Sequence, residues 1–227
     1  MNASHVSVWN RLGKCLLLVL CLPLMAAQSS LADKCTVRGQ VQYPSLKSRL
    51  FKGMKNYDGH HMQAQKPKKS DGIVMLIPLD RKVSAPPTPK PILTQRGMNF
   101  LPRVLPVTVG STVYILNEDN EYHNVFSRTP GATFNIGRRP PGHLHPQKIK
   151  RAGVVRVFCD IHEHMAAYIL SLNTPYFIRV KADATYELKN IPAGRYRMEL
   201  FHPNFPRYKK EITVGGASTL QHDIKWR

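Results

Sequence analysis

Eighteen prolines are scattered along the 227 residues, and their spacing leaves little room for long helices. Proline fixes φ and lacks an N–H, so a chain punctuated in this way reads as short strands joined by turns. Apolar residues at 42% and charged residues at 21% are enough to build a buried core, and they exclude wholesale disorder, collagen and coiled coil. The length suits one large domain or two small ones.

The first segment stands apart. Arg11 and Lys14 precede an apolar run from Cys15 to Ala27, and Ser30-Leu31-Ala32 follows as a small-x-small site before Asp33. That layout is a secretory signal peptide, so residues 1–32 are expected to be cleaved after Ala32 on export to the periplasm. The apolar run falls short of the roughly 20 residues a spanning helix needs, and no transmembrane segment is expected. Removing Arg11 and Lys14 leaves 31 basic against 14 acidic side chains, a formal charge of +17. Cys35 and Cys159 are the cysteines that remain, in a compartment that oxidises thiols.

Three regions follow. Thr36 to Tyr43 is strand-like, Gly72 to Leu79 is a second, more apolar strand, and a polar loop with Lys66-Pro67-Lys68-Lys69 lies between them. Residues 84–93, with Pro86-Pro87-Thr88-Pro89-Lys90-Pro91, form a stiff linker. In residues 94–175 the best strands are Val107 to Val109, Thr112 to Leu116, Val154 to Cys159 and Ala167 to Leu172. Several are apolar on both alternations, as expected for strands buried centrally in a sheet sandwich. Gly137 to Arg151 shows no periodicity and is predicted to be a loop. Further on, Tyr196, Met198 and Leu200 alternate with Arg195, Arg197 and Glu199, which describes a strand with one covered face. Two opening strands are too few to bury a core, so residues 33–83 and 176–227 are expected to form one discontinuous β-domain with residues 94–175 inserted; tandem packing of separate modules is the alternative.

The segment Cys159-Asp160-Ile161-His162-Glu163-His164-Met165, between two of the predicted strands, carries the chemistry. A thiolate, an imidazole and a thioether in one tight loop can converge on a single ion. Thiolate and thioether suit Cu(I), imidazole also accommodates Cu(II), and two histidines with one cysteine and a weak axial methionine make a blue-copper set. That set demands a second histidine, and His123, just beyond the strand Thr112 to Leu116, is the natural donor. Two other uses of Cys159 stay open: a disulfide with Cys35, and a zinc site with His162 and His164, although zinc seldom recruits methionine.

The ordered set Gly110-Ser111-Thr112-Val113, Asn117, His123-Asn124-Val125 and Cys159-x2-His162-x2-Met165 resembles the type 1 copper proteins of the plastocyanin and amicyanin kind. The resemblance implies a Greek-key cupredoxin sandwich holding one type 1 copper per chain, with His123, Cys159 and His162 equatorial and Met165 axial. Val37-Arg38-Gly39-Gln40-Val41 and Tyr186 to Tyr196 resemble a carboxypeptidase regulatory-like domain, a small transthyretin-like β-sandwich. The mature chain as a whole resembles bacterial exported proteins described as methylamine utilisation proteins, in which both modules occur. There are departures. Ile161 stands where plastocyanin-like loops often carry proline, and Glu163 and His164 stand where amicyanin-like loops carry proline and an aromatic, so His164 competes as a ligand through a Cys-x4-His spacing. Asn117 and Asn124 are candidates to hydrogen-bond across the loops or to the cysteine sulfur; the alternative is that they only make turns.

Outside that set, His60-His61-Met62 reads as a solvated loop, with weak copper loading as the alternative, and His143 and His145 read as surface histidines. The positive charge would steer docking onto a redox partner protein with an acidic face; the alternative is retention near anionic envelope surfaces. Nucleic acid is disfavoured by export. The leading expectation is an exported one-electron carrier that is not an enzyme. The alternatives are an envelope-binding or structural module with a degenerate copper loop, and periplasmic copper storage or delivery. Carbohydrate binding by the outer domain has no motif behind it.

Overall fold

The computed structural model of the protein describes residues 34–44, 67–216 and 218–226. The expected signal peptide and His60-His61-Met62 lie outside the described residues. The fold is all-β. Its strands are β1 (Lys34–Gln42), β2 (Ile73–Pro78), β3 (Ile92–Gln95), β4 (Phe100–Leu101), β5 (Val104–Thr108), β6 (Thr112–Asn117), β7 (His123–Ser127), β8 (Phe134–Arg139), β9 (Leu144–Lys148), β10 (Gly153–Phe158), β11 (Ala166–Leu172), β12 (Phe177–Arg179), β13 (Thr185–Pro192), β14 (Gly194–Phe201), β15 (Tyr208–Val214), β16 (Thr219–Gln221) and β17 (Ile224–Lys225). Among the described residues the helical content is one 3-10 turn, Lys69–Asp71, and no helix is long and apolar enough to cross a membrane.

These strands form four sheets. β13-β1-β16, with β17 also on β1, faces β12-β2-β14-β15, while β5-β11-β10-β7-β8 faces β4-β3-β6-β9. The first pair encloses a core of Val37, Val74, Leu76, Tyr186, Tyr196, Met198 and Leu200, among others; the second encloses Leu93, Val113, Ile115, Val155, Val157, Ile169 and their neighbours. A third apolar layer joins the two sandwiches, built from Ile73 and Met75 of β2, Val104 of β5, Tyr168, Leu170 and Leu172 of β11, and Phe201 of β14. β2 and β11 are therefore covered on both faces. Val74 and Leu76 point into one core while Ile73 and Met75 point into the seam, and Ala167 and Ile169 alternate in the same way with Tyr168 and Leu170. Double coverage is why Ile73-Val74-Met75-Leu76-Ile77 and Ala166-Ala167-Tyr168-Ile169-Leu170 read as unbroken apolar runs.

The opening and closing segments interleave. β1 pairs antiparallel with β13, and β2 pairs antiparallel with β12 and β14. The contacts of β1 with β16 and β17 are parallel, so that sheet is mixed. Polar groups also stitch the seam: Arg103 donates to Asp71 at 3.1 Å and to Asn204 at 2.9 Å, and Arg179 donates to the carbonyls of Ser70 at 2.7 Å and Val104. Cys35 and Cys159 are free thiols buried in separate cores, so no disulfide joins them.

Two details differ from the sequence reading. Gly137 to Arg151 is not all loop, because it contains the end of β8 and the whole of β9. Both are edge strands, where proline is tolerated and alternation is weakly enforced, so Pro146 and the half-exposed pattern of β9 hid it. Glu199 was expected on a solvent face and is buried instead. It lies on the seam side of β14 opposite Met75, and Arg197 at 2.8 Å and Arg207 at 3.4 Å neutralise it.

His202 gives the fold a pH signature. It is buried among Tyr43, Phe205 and Trp226, its Nε2–H donates to the Lys68 carbonyl at 3.0 Å, and its Nδ1 accepts from the Asn204 N–H at 3.1 Å. Burial pushes its pKa down to about 4, outweighing the Lys68 carbonyl, which favours the charged form. The unfolded state binds this proton first, so the contribution is complete above about pH 6.5 and is lost as pH falls to about 4. Denaturant unfolding should therefore lose roughly 3 kcal/mol over that window. His202→Gln should be less stable at pH 7 and should show a shallower pH slope across the window.

Candidate metal centre

One end of the sandwich formed by β3 to β11 carries four connections: the β3–β4 turn, the β6–β7 loop, the β8–β9 turn and the β10–β11 loop. Backbone hydrogen bonds knit them together, from Glu118 N–H to the Gln95 carbonyl at 2.9 Å and from Gly142 N–H to the Asn117 carbonyl at 2.8 Å.

The sulfur-bearing residues reach this end by strand parity. Val155 and Val157 point into the core from β10, and Cys159 is the next inward position; Met165 stands in the same relation to Ala167 and Ile169 of β11. The ladder pairs Phe158 with Ala166, and the Cys159 N–H continues it to the Met165 carbonyl at 3.3 Å. A second bond, from Met165 N–H to the His162 carbonyl at 2.9 Å, folds the loop back. Cys159 and Met165 therefore stand side by side at the loop base, each with 0% exposure.

The histidines come from opposite sides. His123 opens β7, alternates inward with Val125 and is fully buried, whereas His162 sits half-buried on the β10–β11 loop. His123 Nδ1 lies 3.0 Å from His162 Nδ1 and 3.9 Å from Cys159 Sγ. All three donor atoms lie within 4.8 Å of one another. His162 is held below its ordinary pKa by burial and by the neighbouring His123 and His164, against the opposing pull of Glu121 and Asp119, which favours its neutral, lone-pair-bearing form.

Asp119 decides which nitrogen of His123 faces the site. Its Oδ2 lies 2.8 Å from His123 Nε2, and a carboxylate can only accept there, so Nε2 carries the proton and Nδ1 is left with a lone pair directed at Cys159 and His162. The carboxylate is itself anchored by consecutive backbone N–H groups, Met98 at 3.0 Å and Gly97. Gly97 and Met98 both have positive φ, 59° and 52°, which turns the two N–H groups to one side as an anion nest. Burial alone would raise the pKa of Asp119, but the bonds from Met98, His123 and Gly97 outweigh it and hold the carboxyl below its usual range.

The sequence reading missed Asp119, Gly97 and Met98. The four-residue step from Asp119 to His123 was a weak signal, and the β3–β4 turn lies more than twenty residues upstream. Asn124 acts across the loops, donating from Nδ2 to Asp160 Oδ2 at 3.1 Å. Asn117 shapes the β6–β7 loop, donating to the carbonyls of Glu121 at 2.8 Å and Arg139 at 3.2 Å and accepting from the Asp119 N–H at 3.1 Å. His164 turns away from the donor cluster and donates from Nε2 to the Met98 carbonyl at 3.0 Å, so the trio of Cys159, His162 and His164 is not the one brought together. His143 and His145 lie on the β9 side, their ring centroids 6.4 Å apart, and both are partly buried rather than fully at the surface.

These residues fit a metal ion. Donor separations of 3.0 and 3.9 Å can be spanned by bonds of about 2.0–2.3 Å to a shared ion, meeting at roughly 95° and 125°. Two facing imidazole nitrogens and a buried thiol, with a carboxylate fixing one tautomer, are a ligand set with its outer support in place.

No protein-family model matches the chain, and no curated protein is matched. Among solved structures, the chain is similar to the reduced Cu(I) form of a point mutant of amicyanin, with 18% identity over 44% of this chain and 98% of that one and a TM-score of 0.35. It is also similar to a copper-containing nitrite reductase from Thermus scotoductus SA-01, with 22% identity over 42% of this chain and 25% of that one and a TM-score of 0.36. A purple cupredoxin from Nitrosopumilus maritimus matches at 19% identity over 37% of this chain and all of that one, with a TM-score of 0.34.

Asp119→Ala should weaken metal affinity about 10- to 100-fold, since removing the partner of a ligating histidine frees its tautomer and ring orientation. Competition titration against a chelator of known affinity measures this. Circular dichroism should show the variant folded, and Asp119→Asn should recover part of the loss, because its side-chain oxygen can still accept from Nε2.

Proposed function

We propose that this chain is an exported carrier of single electrons whose centre is one copper ion held by His123, Cys159, His162 and Met165. The carrying observation is the convergence of the His123 and His162 Nδ1 atoms on the Cys159 thiol, with the tautomer of His123 set by Asp119. A thiolate, two imidazoles and a thioether match the softness of copper in both oxidation states, whereas zinc has little use for Met165. Copper bound there would supply a Cu(II)/Cu(I) couple.

The protein's part is to keep the donors still and give the electron a way out. His123, Cys159 and Met165 are fixed by strands inside a packed core, so their positions change little between charge states. His162 alone of the four reaches the surface, which makes it the exit. Around this end the exposed apolar side chains of Met98, Tyr122 and Ile161 offer a contact surface for another protein. The formal charge of +17 left after signal-peptide removal favours a redox partner with an acidic docking face, and the exchange rate should then fall as salt rises. No substrate turnover is part of this reading. The strands of residues 33–83 and 176–227 would be a separate regulatory-like module, carried with the copper domain into the periplasm.

Adding Cu(II) to the purified mature protein should give intense visible thiolate-to-copper absorption that saturates at one ion per chain. The band should vanish in Cys159→Ser and on reduction. A colourless protein that takes up only Cu(I) would replace this reading with storage or delivery, and no uptake at all would leave a structural module.

A further inference from the structure

Five acidic side chains stand in the two loops that flank the donors: Glu118, Asp119 and Glu121 between β6 and β7, and Asp160 and Glu163 between β10 and β11. Four of them are exposed, so water and salt screen their charge. Glu118 is also paired with Arg96, whose Nε donates to it at 2.5 Å. Asp119 differs on each count. Its side chain is 12% exposed, and its Oδ2 receives the Nε2–H of an imidazole that is itself fully buried. Among the described residues no lysine or arginine lies within ion-pair distance of it, Arg139 on the strand paired with His123 included. The Gly97 and Met98 N–H groups solvate the carboxylate as dipoles, which leaves its net charge in place.

A charge in that position distinguishes between ions. The Cys159 donor is a thiolate when it binds metal, while imidazole and thioether donors are neutral. The thiolate and the Asp119 carboxylate therefore supply two negative charges to one buried unit, in which Cys159 and His123 each have 0% exposure. With a divalent ion the unit is neutral. With a monovalent ion it keeps one uncompensated negative charge away from water, which is costly, and the attraction it forgoes is large where the local dielectric is low. The tautomer effect is different in kind, because an imidazole turned out of place weakens the hold on either ion. Aiming a lone pair and supplying a charge are thus two separable roles of one side chain.

Building on the copper reading, on which this step rests, we infer that Asp119 is a positioning residue that also sets the potential. Its carboxylate favours Cu(II) over Cu(I), so the centre is a stronger reductant than the same donors would be with a neutral partner on His123. The mature protein, Asp119→Asn, Asp119→Ala and Glu121→Gln are titrated separately with Cu(I) and with Cu(II) against chelators of known affinity, with folding checked by circular dichroism. Asp119→Asn should lose about tenfold or more in Cu(II) affinity beyond any loss for Cu(I). That ratio raises the one-electron potential by about 59 mV or more, and voltammetry should read the same shift. Asp119→Ala should show the differential in addition to a loss common to both ions. Glu121→Gln removes an exposed charge from the same loop and should change the ratio less than about threefold. Equal weakening of both ions in Asp119→Asn, with its thiolate-to-copper band retained, would overturn the charge role and leave the copper centre standing. A Glu121→Gln shift as large as that of Asp119→Asn would overturn it as well, by assigning the effect to the general field of the loop. A wild-type protein without the band would remove the centre and this role together.

Discussion

Between Asp119 and His123 runs the hydrogen bond that gives the site its chemistry. An imidazole buried beside a thiol and a second imidazole could present either nitrogen, and only one choice leaves a lone pair facing Cys159 and His162. The carboxylate makes that choice, and the nest of N–H groups at Gly97 and Met98 holds the carboxylate. The order of causation thus runs from a left-handed turn between β3 and β4, through an anion, to the donor geometry of a histidine on another sheet. Pairing with His123 also counters the cost of removing Asp119 from water.

Everything else at the centre rests on strand parity inside a four-layer stack. Because inward and outward positions alternate, fixing Val157 and Ala167 in the core fixes Cys159 and Met165 there as well. The second sandwich supports this from outside. It covers the far face of β11 through Tyr168, Leu170 and Leu172, so the strand that carries Met165 at its start is packed on both sides. Rigidity at the metal end is then a property of the whole stack, and among the candidate donors His162 alone is half-buried rather than enclosed.

Much of this was legible in the residue pattern. Double coverage left its trace in the unbroken apolar runs of β2 and β11, and the donors His123, Cys159 and His162 stood out by type and spacing. What escaped depended on partners distant in sequence. Asp119 is one acidic residue in an acidic loop until the β3–β4 turn is placed against it. Glu199 obeyed the alternation of a half-covered strand, but the seam covers the second face of β14 at that position and two arginines neutralise the charge. β9 was hidden because an edge strand tolerates Pro146 and needs no apolar face. His164 satisfied a ligand spacing as well as His162 did, and only the hydrogen bond to Met98 separates them.

The central claim is that two imidazole nitrogens and one thiolate meet around a single soft ion, and copper K-edge X-ray absorption of the loaded protein addresses it most directly. The account predicts a first shell of one sulfur at short bonding distance with two imidazole nitrogens, and the loss of one nitrogen in His123→Gly. A shell of nitrogen and oxygen alone, or one unchanged when Cys159 is replaced by serine, would contradict it.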